Sequence, residues 1–129
     1  MDKKGGYIMF EIKDDVIHAT RASKGVIEFE IPGYTFKAGD TIELRIYEKG
    51  GLNELPLKTK EITVKEDAYT IDIELTCEDT DIGKPDNKVV DYWYEIELND
   101  EQTILGYDEK GAKVLRLYPK GVEEPNVES

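Results

Sequence analysis

The side chains able to do chemistry are few and widely spaced. His18 is the single histidine and Cys77 the single cysteine. A hydrolytic triad needs a nucleophile, a base and an orienting carboxylate within hydrogen-bond reach. His18 lies among Ile17, Ala19 and Thr20, and nothing in the spacing gathers it with Ser23 and an aspartate, so it reads as a structural histidine. One cysteine closes no internal disulfide and builds no cysteine-based metal site. Cys77 continues the apolar phase of Ile73 and Leu75 in an acidic neighbourhood, which predicts a small core residue and not a reactive thiol. The stretch from Asp79 to Asp86 starts like a calcium loop, with acids at alternate positions. A loop begun at Asp79 then meets Gly83, Lys84 and Val90 where oxygen, glycine and glutamate are needed, so a capped turn is expected. Glu28 with Glu30, and Glu95 with Glu97, share faces as acid and base pairs do, but so do the outward residues of any solvated sheet. No phosphate-binding glycine loop is present, since Gly50-Gly51 leads into no strand-to-helix junction. No catalytic, cofactor-binding or metal-ligating residue is assigned, and no cofactor is expected. The aromatics carry more signal. Trp93 and Tyr47 fall on the polar phase of their strands; such aromatics either pack within the domain, over a neighbouring loop, or are contacts for a protein interface or a sugar ring.

These residues sit on segments whose dominant signal is a period of two, broken by turn residues. Gly25 to Ile31 places Ile27, Phe29 and Ile31 on one face before Pro32-Gly33 stops it. Thr41 to Glu48 places Ile42, Leu44 and Ile46 inward, and Ile71, Ile73 and Leu75 alternate with Asp72 and Glu74. Lys88 to Leu98 is the expected central strand, with Val90, Tyr92, Tyr94, Ile96 and Leu98 sharing a face, and Asn99-Asp100 gives the next turn. A final hairpin is expected between Gln102–Tyr107 and Lys113–Tyr118, across Asp108 to Gly111. Weaker strands are predicted at Tyr7–Ile12, Val16–Thr20 and Leu57–Lys65. Eight or nine short strands with no helical crossover predict an all-β fold of two packed antiparallel sheets. The reading divides the chain into a flexible start (1–6), a β-sandwich domain (7–118) and a flexible acidic tail (119–129).

The composition sets the class. With 129 residues, 39% of them hydrophobic, the chain can bury the core of one domain. Its 17 basic against 29 acidic side chains give a net charge of −12, which repels phosphate backbones and anionic lipid. Nucleic acid and membranes are therefore not expected as main partners. The apolar run Tyr7-Ile8-Met9-Phe10 is too short for a signal-peptide core or a membrane span.

Four landmarks carry a resemblance. They are the turn Thr20-Arg21-Ala22-Ser23-Lys24-Gly25, the run from Phe36 to Leu44, the turn Glu78-Asp79-Thr80, and the paired-tyrosine strand from Tyr92 to Leu98. In order and spacing they resemble immunoglobulin-like domains of tail and baseplate modules from phages and prophages of Gram-positive bacteria, typified by the N-terminal domain of the baseplate upper protein. The connection from Asp81 to Val89, with Pro85, is longer than the compact leucine-glycine turn of that family. The resemblance implies an immunoglobulin-like antiparallel sandwich. It also implies a non-enzymatic structural part of a virion, made in the bacterial cytoplasm and working through protein partners in the tail or baseplate. Open strand edges allow homo-oligomerisation. The alternative function is a carbohydrate- or cell-surface-binding module using the exposed aromatics.

Overall fold

A computed structural model of the chain describes residues 3–4, 7–8, 10–13, 16–83, 88–106, 108 and 111–119. The expected flexible start falls partly outside them, as do Pro85 in the long connection, Tyr107, the tip of the last predicted turn, and the acidic tail after Pro119.

The strands are β1 (Lys3–Lys4), β2 (Tyr7–Ile8), β3 (Glu11–Lys13), β4 (Val16–Thr20), β5 (Gly25–Phe29), β6 (Thr41–Glu48), β7 (Lys58–Thr63), β8 (Ile71–Leu75), β9 (Val90–Leu98), β10 (Gln102–Leu105) and β11 (Lys113–Tyr118). The large sheet runs β3-β4-β11-β9-β6-β7, with β10 also on β9, and β5 pairs with β8 in a separate small sheet. The domain is therefore an all-β sandwich of two layers, and β1 with β2 forms a short extra ribbon.

Alternation names the core correctly on the long strands. Ile42, Leu44 and Ile46 of β6, Ile71, Ile73 and Leu75 of β8, and Tyr92, Tyr94, Ile96 and Leu98 of β9 are all buried, joined by Leu115 and Leu117 of β11. Each aliphatic side chain so buried stabilises the fold by roughly 1.5–3 kcal/mol. Phe36 closes one end of the core, edge-to-face with Phe29 and with Tyr34 at ring-centre distances of 5.9 and 5.5 Å. β9 is central, as its apolar phase predicts, with β6 on one side and β10 and β11 on the other.

Three expectations need correction. The sheets are not purely antiparallel, because β11 runs parallel to β4 from Val114↔Val16 to Tyr118↔Thr20. Alternation within a strand fixes which side is buried but says nothing of the neighbour's direction, and here the two neighbours lie at opposite ends of the chain. The predicted last hairpin closes only at its turn, where Asp108 and Gly111 form an antiparallel bridge, and its two strands do not pair with each other. Asn99 and Asp100, with φ of 56° and 58°, fold β10 back onto β9 instead, in the left-handed pair that suits a two-residue hairpin. β10 and β11 then lie end to end along the same edge of β9. Finally, Cys77 is exposed. β8 stops at Leu75, and Thr76 to Thr80 form a turn in which the Thr76 N–H donates to Asp79 Oδ2 (2.8 Å) and the Asp79 N–H to Thr76 Oγ1 (3.2 Å). That turn ends the alternation two residues before Cys77.

Candidate functional site

The outward phases of β7, β6, β9, β11 and β4 build one broad face, and strand register arranges it in rows. The first row joins Glu61, Glu43 and Glu97; the second, Arg45 and Glu95; the third, Tyr47, Trp93, Val114 and Val16; the fourth, Asp91, Arg116 and His18.

Arg45 organises the acidic end. Its guanidinium lies 2.8 Å from Glu43 Oε1, 3.0 Å from Glu95 Oε1 and 2.7 Å from Glu97 Oε2, with all four side chains mostly covered. Its Nε–H also donates to the Tyr47 hydroxyl at 3.0 Å, and that hydroxyl donates to Glu95 Oε1 at 2.9 Å. The Glu97 carboxylate first, with Glu95 and Tyr47 adding to it and burial opposing, raises the Arg45 pKa above its already high ordinary value. Burial and the Glu95 hydrogen bond push the Tyr47 phenol up, so it stays neutral at physiological pH. Glu95 and Glu97 do share a face, as their spacing predicts, but they bracket an arginine and not a substrate-sized gap.

Tyr47 is on the outward phase yet only 5% exposed, which is the packed alternative for an outward aromatic. The cause is local: its hydroxyl is drawn into the Arg45–Glu95 pair beside it. Trp93, its partner in the row, is half-buried on the same face. On the far side of the row Arg116 donates to Asp91, its register partner, at 2.8 and 3.2 Å. His18 Nδ1 lies 2.9 Å from the Tyr118 hydroxyl with the rings stacked at 6.0 Å, which gives the single histidine a structural partner.

Glu43, Glu97 and Asp100 bring carboxylate oxygens within 4.8 Å of one another, a grouping that hard cations accept. Arg45 already sits on two of the three, and its positive charge opposes a metal ion there. Sequence reading missed this group because it comes from register between β6 and β9 plus a hairpin turn. The outward phase of both glutamates was the available signal.

Asp79 is buried and pairs with two partly exposed lysines. It takes Lys60 Nζ at 2.8 Å and Lys58 Nζ at 3.5 Å. Burial pushes its carboxyl up, but Lys60 and the Thr76 N–H outweigh this and hold the pKa below the ordinary value. Glu28 is half-buried and Glu30 exposed, and Glu30 borders a cleft with Tyr34 and Tyr69. At one end of the sandwich, Arg21 is buried and donates to the Ile82 carbonyl and, at 2.9 Å, to the Tyr92 hydroxyl. That hydroxyl itself donates to Ile82 O at 3.0 Å. Two turns some sixty residues apart meet beside it. Ser23 N–H donates to Thr80 Oγ1 (2.9 Å), and the Thr80 hydroxyl donates to Ser23 O (2.7 Å).

No family model, no curated protein and no solved structure matches the chain.

Proposed function

We propose that the chain is a non-enzymatic structural and assembly module, an immunoglobulin-like sandwich of a phage or prophage tail or baseplate. It acts through protein–protein contacts made by the outer face of the large sheet. The observation that carries this reading is the third row of that face. Trp93, Val114 and Val16 form a half-buried uncharged stripe across three strands, continued on β6 by the covered Tyr47, and bordered on one side by Arg45 with its glutamates and on the other by the Arg116–Asp91 pair. An apolar centre inside a polar rim is the anatomy of an interface, and tryptophan is the residue type most enriched among dominant contacts. The bordering charges are already paired within the chain, so a partner that covers them meets fewer bare ions.

The immunoglobulin-like assignment is supported by topology. An early strand, β4, parallel to the last, the order β11-β9-β6-β7 in one layer and β5-β8 in the other, and the Tyr92 hydroxyl returning to a carbonyl ten residues upstream are features of such sandwiches. The particle assignment rests on the four sequence landmarks, three of which meet around Arg21, Thr80 and Tyr92. Fold alone does not decide function.

The test mixes the purified chain with the tail and baseplate proteins encoded beside its gene and reads association by light scattering and sedimentation. Trp93→Ala is expected to weaken the complex by about 30-fold or more, as removal of a dominant contact does, with circular dichroism unchanged. No complex with any of them, or a complex indifferent to Trp93→Ala and Trp93→Glu, overturns the reading. Trp93-dependent binding on a glycan array, with no protein complex, replaces it with the carbohydrate alternative.

A further inference from the structure

A second feature lies in the opposite layer, where the small sheet ends. Beyond Phe29↔Ile71, the segments leaving β5 and entering β8 enclose a cleft of about 420 Å³ lined by Glu30, Ile31, Pro32, Gly33, Tyr34, Thr35 and Tyr69. That size falls among small-ligand sites. We propose that this cleft binds an organic cation of the quaternary ammonium class, held between the faces of Tyr34 and Tyr69 and the carboxylate of Glu30.

The cleft has one fixed wall and one open one. Tyr34 is fixed: its hydroxyl donates to Asp40 Oδ2 at 2.7 Å, and its ring stands edge-to-face with Phe36. Donation to a carboxylate enriches the phenol ring in electrons and strengthens the negative face that attracts cations. The same hydrogen bond raises the Tyr34 pKa, so the phenol does not ionise at neutral pH. The turn before it is also fixed. Tyr34 N–H donates to Ile31 O at 3.0 Å across Pro32-Gly33, with Gly33 at φ 80°, the pattern of a type II turn. Tyr69 is the open wall, 74% exposed just before β8, a large ring with no core to cover it. Among the described residues neither Tyr69 nor the exposed Glu30 carboxylate has a hydrogen-bond or ion-pair partner.

The chemistry selects the ligand class. Two tyrosines beside a free carboxylate attract positive charge, and the chain's net −12 adds a long-range field of the same sign. A lysine ammonium is strongly hydrated and loses more on entering such a site, whereas a quaternary ammonium is weakly hydrated and presents methyl groups to the rings. A neutral sugar gains nothing from the field. The site is remote in the fold from Trp93, and the proposal does not depend on the assembly reading.

The experiment is a titration of the full chain with choline chloride followed by amide chemical shifts, with sodium chloride matching the ionic strength. Parallel titrations use 3,3-dimethylbutan-1-ol, the neutral isostere of choline, and glucose. Saturable shifts clustered at Gly33, Tyr34, Thr35 and Tyr69 are expected for choline and not for the other two. Tyr69→Ala and Glu30→Gln, both at exposed positions, are each expected to weaken binding by about two- to five-fold, the range for one exposed cation–π contact or ion pair. Absence of saturable shifts, equal binding of the isostere, a response to glucose alone, or choline binding untouched by both substitutions overturns the proposal.

Discussion

Replacing Tyr92 by phenylalanine keeps the ring in the core and removes one oxygen, and the structure says how much that oxygen is worth. It donates to the Ile82 carbonyl at 3.0 Å and accepts from Arg21 at 2.9 Å. The carbonyl keeps its other donor, since Arg21 also bonds it, so that half of the loss is small, about 0.5–1 kcal/mol. The other half is larger. Arg21 is only 5% exposed, and among the described residues its Nε has no partner and its nearest carboxylate, Asp81, is 3.9 Å away. Taking a further partner from a buried charge costs about 1.5–3 kcal/mol. Tyr92→Phe is therefore expected to destabilise the domain by about 2–4 kcal/mol, a large share of the roughly 5–15 kcal/mol that holds a domain together. Urea unfolding followed by fluorescence measures it, as a lower midpoint with an unchanged slope. Arg21→Met separates the causes, because it removes the charge together with its need for partners and costs less than Tyr92→Phe. In the Arg21→Met background the phenylalanine substitution loses only the Ile82 bond, so the double-mutant cycle is expected to give a coupling of about 1–2 kcal/mol. A Tyr92→Phe cost below about 0.5 kcal/mol, or full additivity with Arg21→Met, refutes the reasoning.

Gly83 is at φ 69°, and a Cβ there would lie 2.2 Å from the Tyr92 hydroxyl, so Gly83→Ala is expected to lower the melting temperature far more than Gly50→Ala, at φ 82° with open space around it. The latter meets only the left-handed backbone penalty, about 1–2 kcal/mol, and equal effects would contradict the close approach. The Asp79 carboxyl is depressed below its ordinary 3.8, so its contribution is complete above that value and is lost as pH falls through the lower folded-state value. Asp79→Asn should flatten the acid limb of a stability–pH curve below about pH 4, and a parallel curve would count against the lysine pairing. Cys77 should titrate as one thiol with a thiol-exchange reagent in the native state; reaction only after unfolding would place it in the core.

The sequence reveals what lies inside each strand and little of what lies beside it. Alternation identifies the buried sets of β6, β8 and β9 because a two-residue period has only two faces, and burial selects the apolar one. It fails at Cys77, where the Thr76–Asp79 turn ends the strand, and at the last hairpin, where Lys113 to Tyr118 chooses β9 and β4 over Gln102 to Leu105. Those choices are made by long-range packing. The candidate face was legible one residue at a time, in Trp93, Tyr47, Glu95 and Glu97, but not as a surface. Arg45, with Glu43 and Tyr47, enters it through register between β6 and β9, and Tyr47 is covered there by contacts that its own strand does not encode.

The three arginines of the chain explain why Trp93 stands out. Each is paired with a tyrosine or a carboxylate where its planar fork can bridge separate segments: Arg21 to Tyr92, Arg45 to Glu95 and Glu97, Arg116 to Asp91. All three reach β9, the strand that both neighbours share. The outward residues of β9 are Asp91, Trp93, Glu95 and Glu97, and the three carboxylates are clamped by arginines from β6 on one side and β11 on the other. A lysine would neutralise them but would not hold them, because its ammonium is a single point on a flexible stem. The effect is to fix the charged positions of the central strand in place and leave an indole between them as its one outward group without charge. A partner that covers this face therefore gains the apolar area of Trp93 while the neighbouring ions keep their internal counter-charges, so its affinity should depend on the indole much more than on salt. Association that weakens steeply with ionic strength, and survives Trp93→Ala, would mean that the charged rows and not the stripe between them make the contact.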